Sequence, residues 1–294
     1  MKWYQFIKWA TALFFSGASS LGLANTIAYL GVADGYWEVW RTDTKGTTTE
    51  QLTRLGADVS RISWFPDGKT LLVNLHDGRL FQLDVGTEEL TQIPAPLPNI
   101  LDAVVSPKGD SFAFSLSTSS SIDDNDIYVY HLASKKLDKL TAMPRLQHEP
   151  SWSPDGKSIY FLSGDGGQQH DIWKVGVTTR STEQLTVSAL YHFDLAVRHD
   201  GVIAYSGNQS GNYELWLRQP NGQTQQLTQD PALDARPNWS PGGDQLVFHS
   251  SRDGNLDLWL YDLATEKTRA LTQTAEGARQ AVWAPAGENR GRNR

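Results

Sequence analysis

The chain contains no cysteine and only 2 methionines in 294 residues. Without cysteine there is no disulfide, no thiolate-ligated zinc and no thiol nucleophile. Long runs of one charge are missing, and so is any long low-complexity tract. Beyond residue 24 no segment is apolar enough to cross a bilayer. A formal charge of −7 speaks against a nucleic-acid partner, which needs a cationic surface. The linear signatures of common active sites are absent too. There is no HExxH, no GxSxG, no GxxxxGK[ST] and no GxGxxG after a strand. Enzymatic chemistry is therefore unsupported by any motif, and no cofactor is expected.

What is present is strand-forming. Tyr, Trp, Phe, Thr and Val are plentiful, and Gly and Pro recur at intervals, as in an all-β protein with many turns. The first two dozen residues stand apart. Lys2 and Lys8 flank a basic start, an apolar stretch runs from Trp9 to Ala24, and Gly22-Leu23-Ala24 is a small-x-small cleavage site. This is the layout of a secretory signal peptide over 1–24, with an uncleaved N-terminal membrane anchor as the alternative. Removing both lysines takes the formal charge from −7 to −9. The end, 288–294, carries Arg290, Arg292 and Arg294 and reads as a solubilising tail.

Between these ends lies one repeat. Its anchor is the word WSPDGK at Trp152, varied at Trp64, Val105, Val197, Trp239 and Trp283, with spacings of 41, 47, 45, 42 and 44 residues. The pair Leu-Thr recurs at Leu52, Leu90, Leu140, Leu185, Leu227 and Leu271. Both patterns count six copies, and a β-type period near 40–45 residues points to propeller blades. In the fifth copy, strands are predicted at Arg236–Trp239, Gln245–Ser250, Asp257–Tyr261 and Lys267–Thr272, with a turn at Arg252–Asn255. Only eleven residues follow Trp283, too few for three more strands. The missing three stand at Thr26–Gly31, Glu38–Arg41 and Thr48–Thr53. The sequence thus predicts a six-bladed β-propeller of four-stranded blades over 25–287, its last blade closed by strands from both termini.

Each repeated word has a structural use. In WSPDGK the Trp wedges between sheets, Pro presets φ, Asp caps the turn and Gly takes the strained position. Asp123-Asp124-Asn125-Asp126 looks like a calcium loop but lacks its glycine and distal glutamate. Asp126 instead aligns with Glu38, Asp171, Glu214 and Asp257, each opening a third strand. His199 stands in a turn where other copies carry proline. His148 and Glu149 precede an inner strand and are the candidate metal ligands, with the metal itself unknown. The positions three before each anchor are Arg61, Asp102, Glu149, Asp194, Arg236 and Gln280. On inner strands they form a ring in the channel, either neutralising one another or offering a polar pocket to a ligand or a partner's peptide.

WSPDGK, a strand, an (R)DG(N) turn, D-[IL]-[WY] and a closing LT resemble the PD40-type, WD40-like repeat of TolB-like proteins. The third and fifth blades carry it best, in EPSWSPDGKSIYFLSGDGGQQHDIWKV and RPNWSPGGDQLVFHSSRDGNLDLWLYDL. The resemblance implies a place in the periplasm and, as partner, an envelope protein or a peptidoglycan-associated lipoprotein. With the lack of catalytic motifs this gives a non-enzymatic scaffold, and the ring at the channel mouth is its expected docking surface. TolB carries an α/β domain before its propeller, whereas here the first blade strand follows the signal directly. Related propellers imply two alternatives, a metal-assisted polysaccharide lyase or hydrolase of the oligogalacturonate-lyase type and a periplasmic ligand-sensing module with a small ligand in the channel.

Overall fold

The computed structural model describes residues 25–117, 125–164, 169–187 and 192–286. The signal peptide 1–24, Asp123 and Asp124 of the acidic run, residues 165–168 and the tail 288–294 lie outside them. Strands β1 (Thr26–Ala33), β2 (Tyr36–Asp43) and β3 (Thr49–Gln51) open the chain. Then come β4 (Val59–Trp64), β5 (Thr70–Leu75), β6 (Leu80–Asp84) and β7 (Leu90–Ile93) as one sheet. The next sheet holds β8 (Leu101–Val105), β9 (Ser111–Ser117), β10 (Asn125–His131) and β11 (Leu137–Lys139). The fourth blade in chain order holds β12 (Leu146–Trp152), β13 (Ser158–Gly164), β14 (His170–Gly176) and β15 (Thr182–Gln184). β16 (His192–Val197), β17 (Ile203–Gly207), β18 (Glu214–Arg218) and β19 (Thr224–Gln226) form the fifth. β20 (Asp234–Trp239), β21 (Gln245–Ser250), β22 (Asp257–Asp262) and β23 (Lys267–Ala270) form the sixth. The last strand, β24 (Ala278–Trp283), pairs antiparallel with β1, giving the order β24-β1-β2-β3. The fold is the six-bladed propeller that the sequence predicts, closed by strands from both ends of the described chain. Among the described residues no helix is long and apolar enough to cross a membrane.

The core lies between blades rather than within them. One apolar cluster joins Ala28, Leu30 and Val39 of the closing blade to Val59, Ile62 and Val73 of its neighbour. Another joins Ala196 and Ala204 to Trp239 and Leu246 across the next-but-last interface. Second strands are covered on both faces, so all six residues of β5 are buried, whereas β15 at the rim is exposed throughout. That gradient explains why alternation is clean only in some strands: a strand buried on both faces has no polar side to show.

Inner strands are tied to one another by hydrogen bonds. The indole Nε1 of Trp64 donates to Val282 O, that of Trp152 to Val104 O and that of Trp239 to Ala196 O, each at 3.1 Å. The acceptor always sits one residue before the neighbouring anchor. Where the anchor is valine or the indole faces elsewhere, another group spans the gap. Val105 N donates to Ser63 Oγ (3.0 Å), Asp194 N to Glu149 Oε2 (2.8 Å) and Trp283 N to Asn238 Oδ1 (2.9 Å). Every blade interface thus carries an inner-strand bond.

The acid that opens the third strand also has a partner. Asp257 Oδ1 accepts from Thr272 Oγ1 (2.8 Å), and Thr272 Oγ1 accepts from Leu258 N (2.9 Å). Glu38 with Thr53, Asp126 with Thr141, Asp171 with Thr186 and Glu214 with Thr228 repeat this relay. The Leu-Thr pair is thus the other half of the acid's motif. One copy was misplaced by the sequence pattern. Leu90 and Thr91 lie inside β7, paired with Leu83 and Gln82, and this blade has Arg79 where the acid would stand, just before Leu80. Ile93 takes the equivalent place, and with it the spacings on either side become 41 and 47, matching the anchors. Replacing Thr272 with valine leaves Leu258 N and Asp257 short of a buried partner, and about 1–3 kcal/mol of stability should be lost. Denaturant midpoints would check this, with Thr272→Ser recovering most of the loss; a change within a few tenths of a kcal/mol would refute it.

Candidate functional site

Five of the six ring positions share a backbone feature that the sequence did not reveal. Asp102, Glu149, Asp194, Arg236 and Gln280 have φ between 49° and 56°, the left-handed region. Each is the first residue of a β-bulge, where two residues of the inner strand oppose one of its neighbour. The single residue opposite is Phe114, Phe161, Tyr205, Phe248 or Tyr29, each essentially without solvent contact. A large ring beneath the inner strand leaves room for the extra residue. In the remaining blade, β4–β7, the place belongs to Val73, paired directly with Ile62, and the irregularity moves to between Val59 and Arg61. Arg61 accordingly keeps an ordinary φ, so the ring is not six-fold regular. Left-handed backbone at a non-glycine residue carries about 1–3 kcal/mol of strain.

The channel holds a cavity of about 310 Å³. Arg61, Asp194, Arg236 and Gln280 line it, with Trp152, Trp239 and Trp283 further along the same strands. Glu149 and Asp102 are not among its lining residues. Three ring members meet closely. Arg236 Nη2 donates to Glu149 Oε1 at 3.3 Å, and Arg236 Nε is 3.1 Å from Asp194 Oδ1. Among the described residues Asp102 has one side-chain hydrogen bond, a long one from Ser115 Oγ at 3.4 Å. Arg61 makes no hydrogen bond or ion pair among the described residues. The ring neutralises itself through one trio and leaves Arg61 apart.

Burial sets the electrostatics. It pushes the Asp194 carboxyl up to about 8, against the pull of Arg236 and with the help of the Glu149 charge. Burial also works to raise Glu149, but the guanidinium of Arg236, with His148 and Arg61, overrides it and holds the carboxyl down at about 2. The Arg236 guanidinium is raised further, its two acids outweighing its burial. Burial and mutual repulsion therefore favour one proton held between the two acids over two charges, with Asp194 the acid that is raised.

Two neighbours of this site went unnoticed in the sequence. Arg279, next to Gln280, stacks its guanidinium 3.9 Å from the Trp37 ring centroid. His249 is pushed down to about 3 by burial and by Arg236 and Arg279, so it stays neutral. The available signal was the basic residue beside the one uncharged ring member.

The candidate metal ligands separate. His148 Nε2 lies 3.1 Å from His170 Nδ1, while both oxygens of Glu149 are taken by Asp194 N and Arg236. No group of three or more His, Asp or Glu that could hold a metal ion occurs among the described residues. Asp126, the described acid of the calcium-like run, is engaged by Thr141 and by Lys139 Nζ at 2.5 Å. His199 lies in a turn, as its place in the repeat suggests.

Comparison with known proteins agrees with this architecture. The family model "TolB beta propeller domain" matches residues 79–286. The chain belongs to that family. The match takes in five ring positions, Asp102 to Gln280, and begins after Arg61, whose blade has the displaced bulge. A TolB homolog of Chlorobium luteolum is 26% identical over 149 residues, covering 49% of this chain and 33% of its own. The Tol-Pal system protein TolB of Francisella tularensis subsp. mediasiatica is 25% identical over 152 residues, 50% of this chain and 35% of its own. These TolB-family matches thus span about a third of the relatives' length. The crystal structure of TolB from Acinetobacter baumannii superposes with a TM-score of 0.79 at 22% identity, covering 90% of this chain and 67% of that one.

Proposed function

We propose that this propeller is a non-enzymatic interaction module of the bacterial cell envelope, exported by residues 1–24 to the periplasm. It binds a protein partner across the channel mouth, on Arg61, Asp102, Glu149, Asp194, Arg236 and Gln280. One observation carries the reading. The five strained ring positions are Asp, Glu, Asp, Arg and Gln, although glycine would occupy a left-handed bulge with less strain. Glu149, Asp194 and Arg236 spend their polar groups largely on one another, which leaves Asp102 and Gln280, with Arg61, as the groups of the ring to meet a partner. Family membership supports the same reading, as does a relative named for the Tol-Pal system. The partner class is an envelope protein such as a peptidoglycan-associated lipoprotein.

Affinity capture from envelope extracts tests this. The wild-type chain should retain a discrete partner that an Arg61→Glu, Asp102→Arg double variant, folded by circular dichroism, loses at least tenfold. Retention of no partner, or equal retention by both proteins, would overturn the proposal.

A further inference from the structure

The charged groups of the channel are divided between its two halves. Consecutive inner strands β8, β12 and β16 supply Asp102, Glu149 and Asp194; consecutive strands β20, β24 and β4 supply Arg236, Arg279 and Arg61. Most of these groups are matched. Arg236 spans the channel to the two acids at 3.3 and 3.1 Å. Arg279 is stacked on Trp37; burial and Arg236 lower its guanidinium and Asp58 opposes them, so its charge is spent on the ring and on Asp58. Arg61 is half-buried, faces the cavity and has no acceptor among the described residues. On the adjacent strand β24, Gln280 Oε1 is shielded from solvent and also has no hydrogen-bond partner. The Gln280 amide can turn to present its NH₂ group to the cavity instead. A half-buried guanidinium beside an unsatisfied amide is incomplete, and the group that completes it must accept hydrogen bonds and carry negative charge.

We propose that the channel between β4 and β24 binds a carboxylate, held by the guanidinium of Arg61 with the Gln280 amide beside it. The cavity of about 310 Å³ sets the size. This is the small end for ligand pockets, with room for a short organic acid or one acidic side chain of a docked protein. The inference shares the channel mouth with the proposed partner surface but does not depend on capture of a partner.

A pH dependence follows from the neighbours. Asp194 faces Glu149 on β12, Arg236 on β20 and Arg61 on β4, with His148 beside Glu149 and Asp102 acting on Arg236. While Asp194 keeps its proton, Arg61 is free to attract an anion. Once Asp194 ionises, it competes for that guanidinium. Carboxylate binding should therefore be strongest below about pH 8 and weaken above it.

The test is a thermal-shift titration with succinate, with succinamide at matched ionic strength as control. A second pair is an acidic peptide and its Asp→Asn counterpart. At pH 6.5 a carboxylate probe should raise Tm in a saturable way while its amide does not. Arg61→Gln should weaken the apparent affinity at least tenfold with Tm unchanged in buffer alone. Wild type should lose affinity between pH 6.5 and 9.5, and Asp194→Asn should not. A shift with succinate identifies a free organic acid; a shift with the peptide alone identifies a partner's side chain. If neither carboxylate outperforms its amide, or if Arg61→Gln keeps the shift, the site does not exist. Failed partner capture with a persisting succinate shift would remove the partner surface and leave this site standing.

Discussion

Trp239→Ala should destabilise the fold by about 3–5 kcal/mol, more than any other single truncation of an anchor. The side chain is 9% exposed and shares an apolar cluster with Ala196, Ala204 and Leu217 of the adjacent blade. Its indole also donates to Ala196 O of the adjacent blade, and Arg198 lies 4.7 Å from its ring centroid. The alanine variant loses packing, the inter-blade bond and the cation–π contact together. Two companions separate these. Trp239→Phe keeps most of the ring and forfeits the bond, and should cost about 1–2 kcal/mol. Trp283→Ala removes an indole whose Nε1 has no partner, so it should cost less than Trp239→Ala. Equilibrium denaturation measures all three. A Trp239→Ala loss below about 2 kcal/mol, or equal losses at both positions, would show that the indole bonds do not hold the blades.

Arg236→Ala should be nearly as damaging, at about 3–5 kcal/mol near neutral pH, because two mostly buried acids lose the cation between them. The loss should shrink on acidification. Glu149 is depressed from 4.5 to about 2, so its contribution is present above its unfolded value and disappears as pH falls through about 2. Asp194 has the opposite sign. Its carboxyl is raised from 3.8 to about 8, so the folded chain holds a proton that the unfolded chain has lost. Stability therefore declines as pH rises from 3.8 to 8 and flattens beyond. Asp194→Asn should remove that decline and gain more at pH 8 than at pH 5. A neutral triple variant, Arg236→Met with Glu149→Gln and Asp194→Asn, should recover most of the Arg236→Ala loss. If the triple variant is as unstable as the single one, packing rather than charge explains the position.

Much of the architecture was legible because it is local and repeated. The anchors gave blade number and strand order, and the shortage of residues after Trp283 anticipated the pairing of β24 with β1. The acids at third-strand starts were correctly read as structural, but their threonine partners were not seen. Those threonines lie 14 or 15 residues away and meet the acids only after the outer strand folds back. The misplaced Leu90-Thr91 match shows the limit of a two-letter pattern: it carries no register, and Ile93 holds the place instead.

The ring was legible as a set of residues but not as a geometry. Alignment placed Arg61 with the other five, yet Val73 beneath it does not open the bulge that an aromatic ring opens elsewhere. Nor could the sequence say that Arg236 would take both Glu149 and Asp194 and leave Arg61 without an acceptor. These residues are separated by up to 87 positions, so their pairing depends on the closed circle. Periodicity alone determined the propeller and its closure, since alternation, turns and anchors act within a blade. Only the tertiary structure decided which charges meet, which carboxyl keeps its proton and which guanidinium is left facing the cavity, because burial and distance across the channel exist only once six blades have closed.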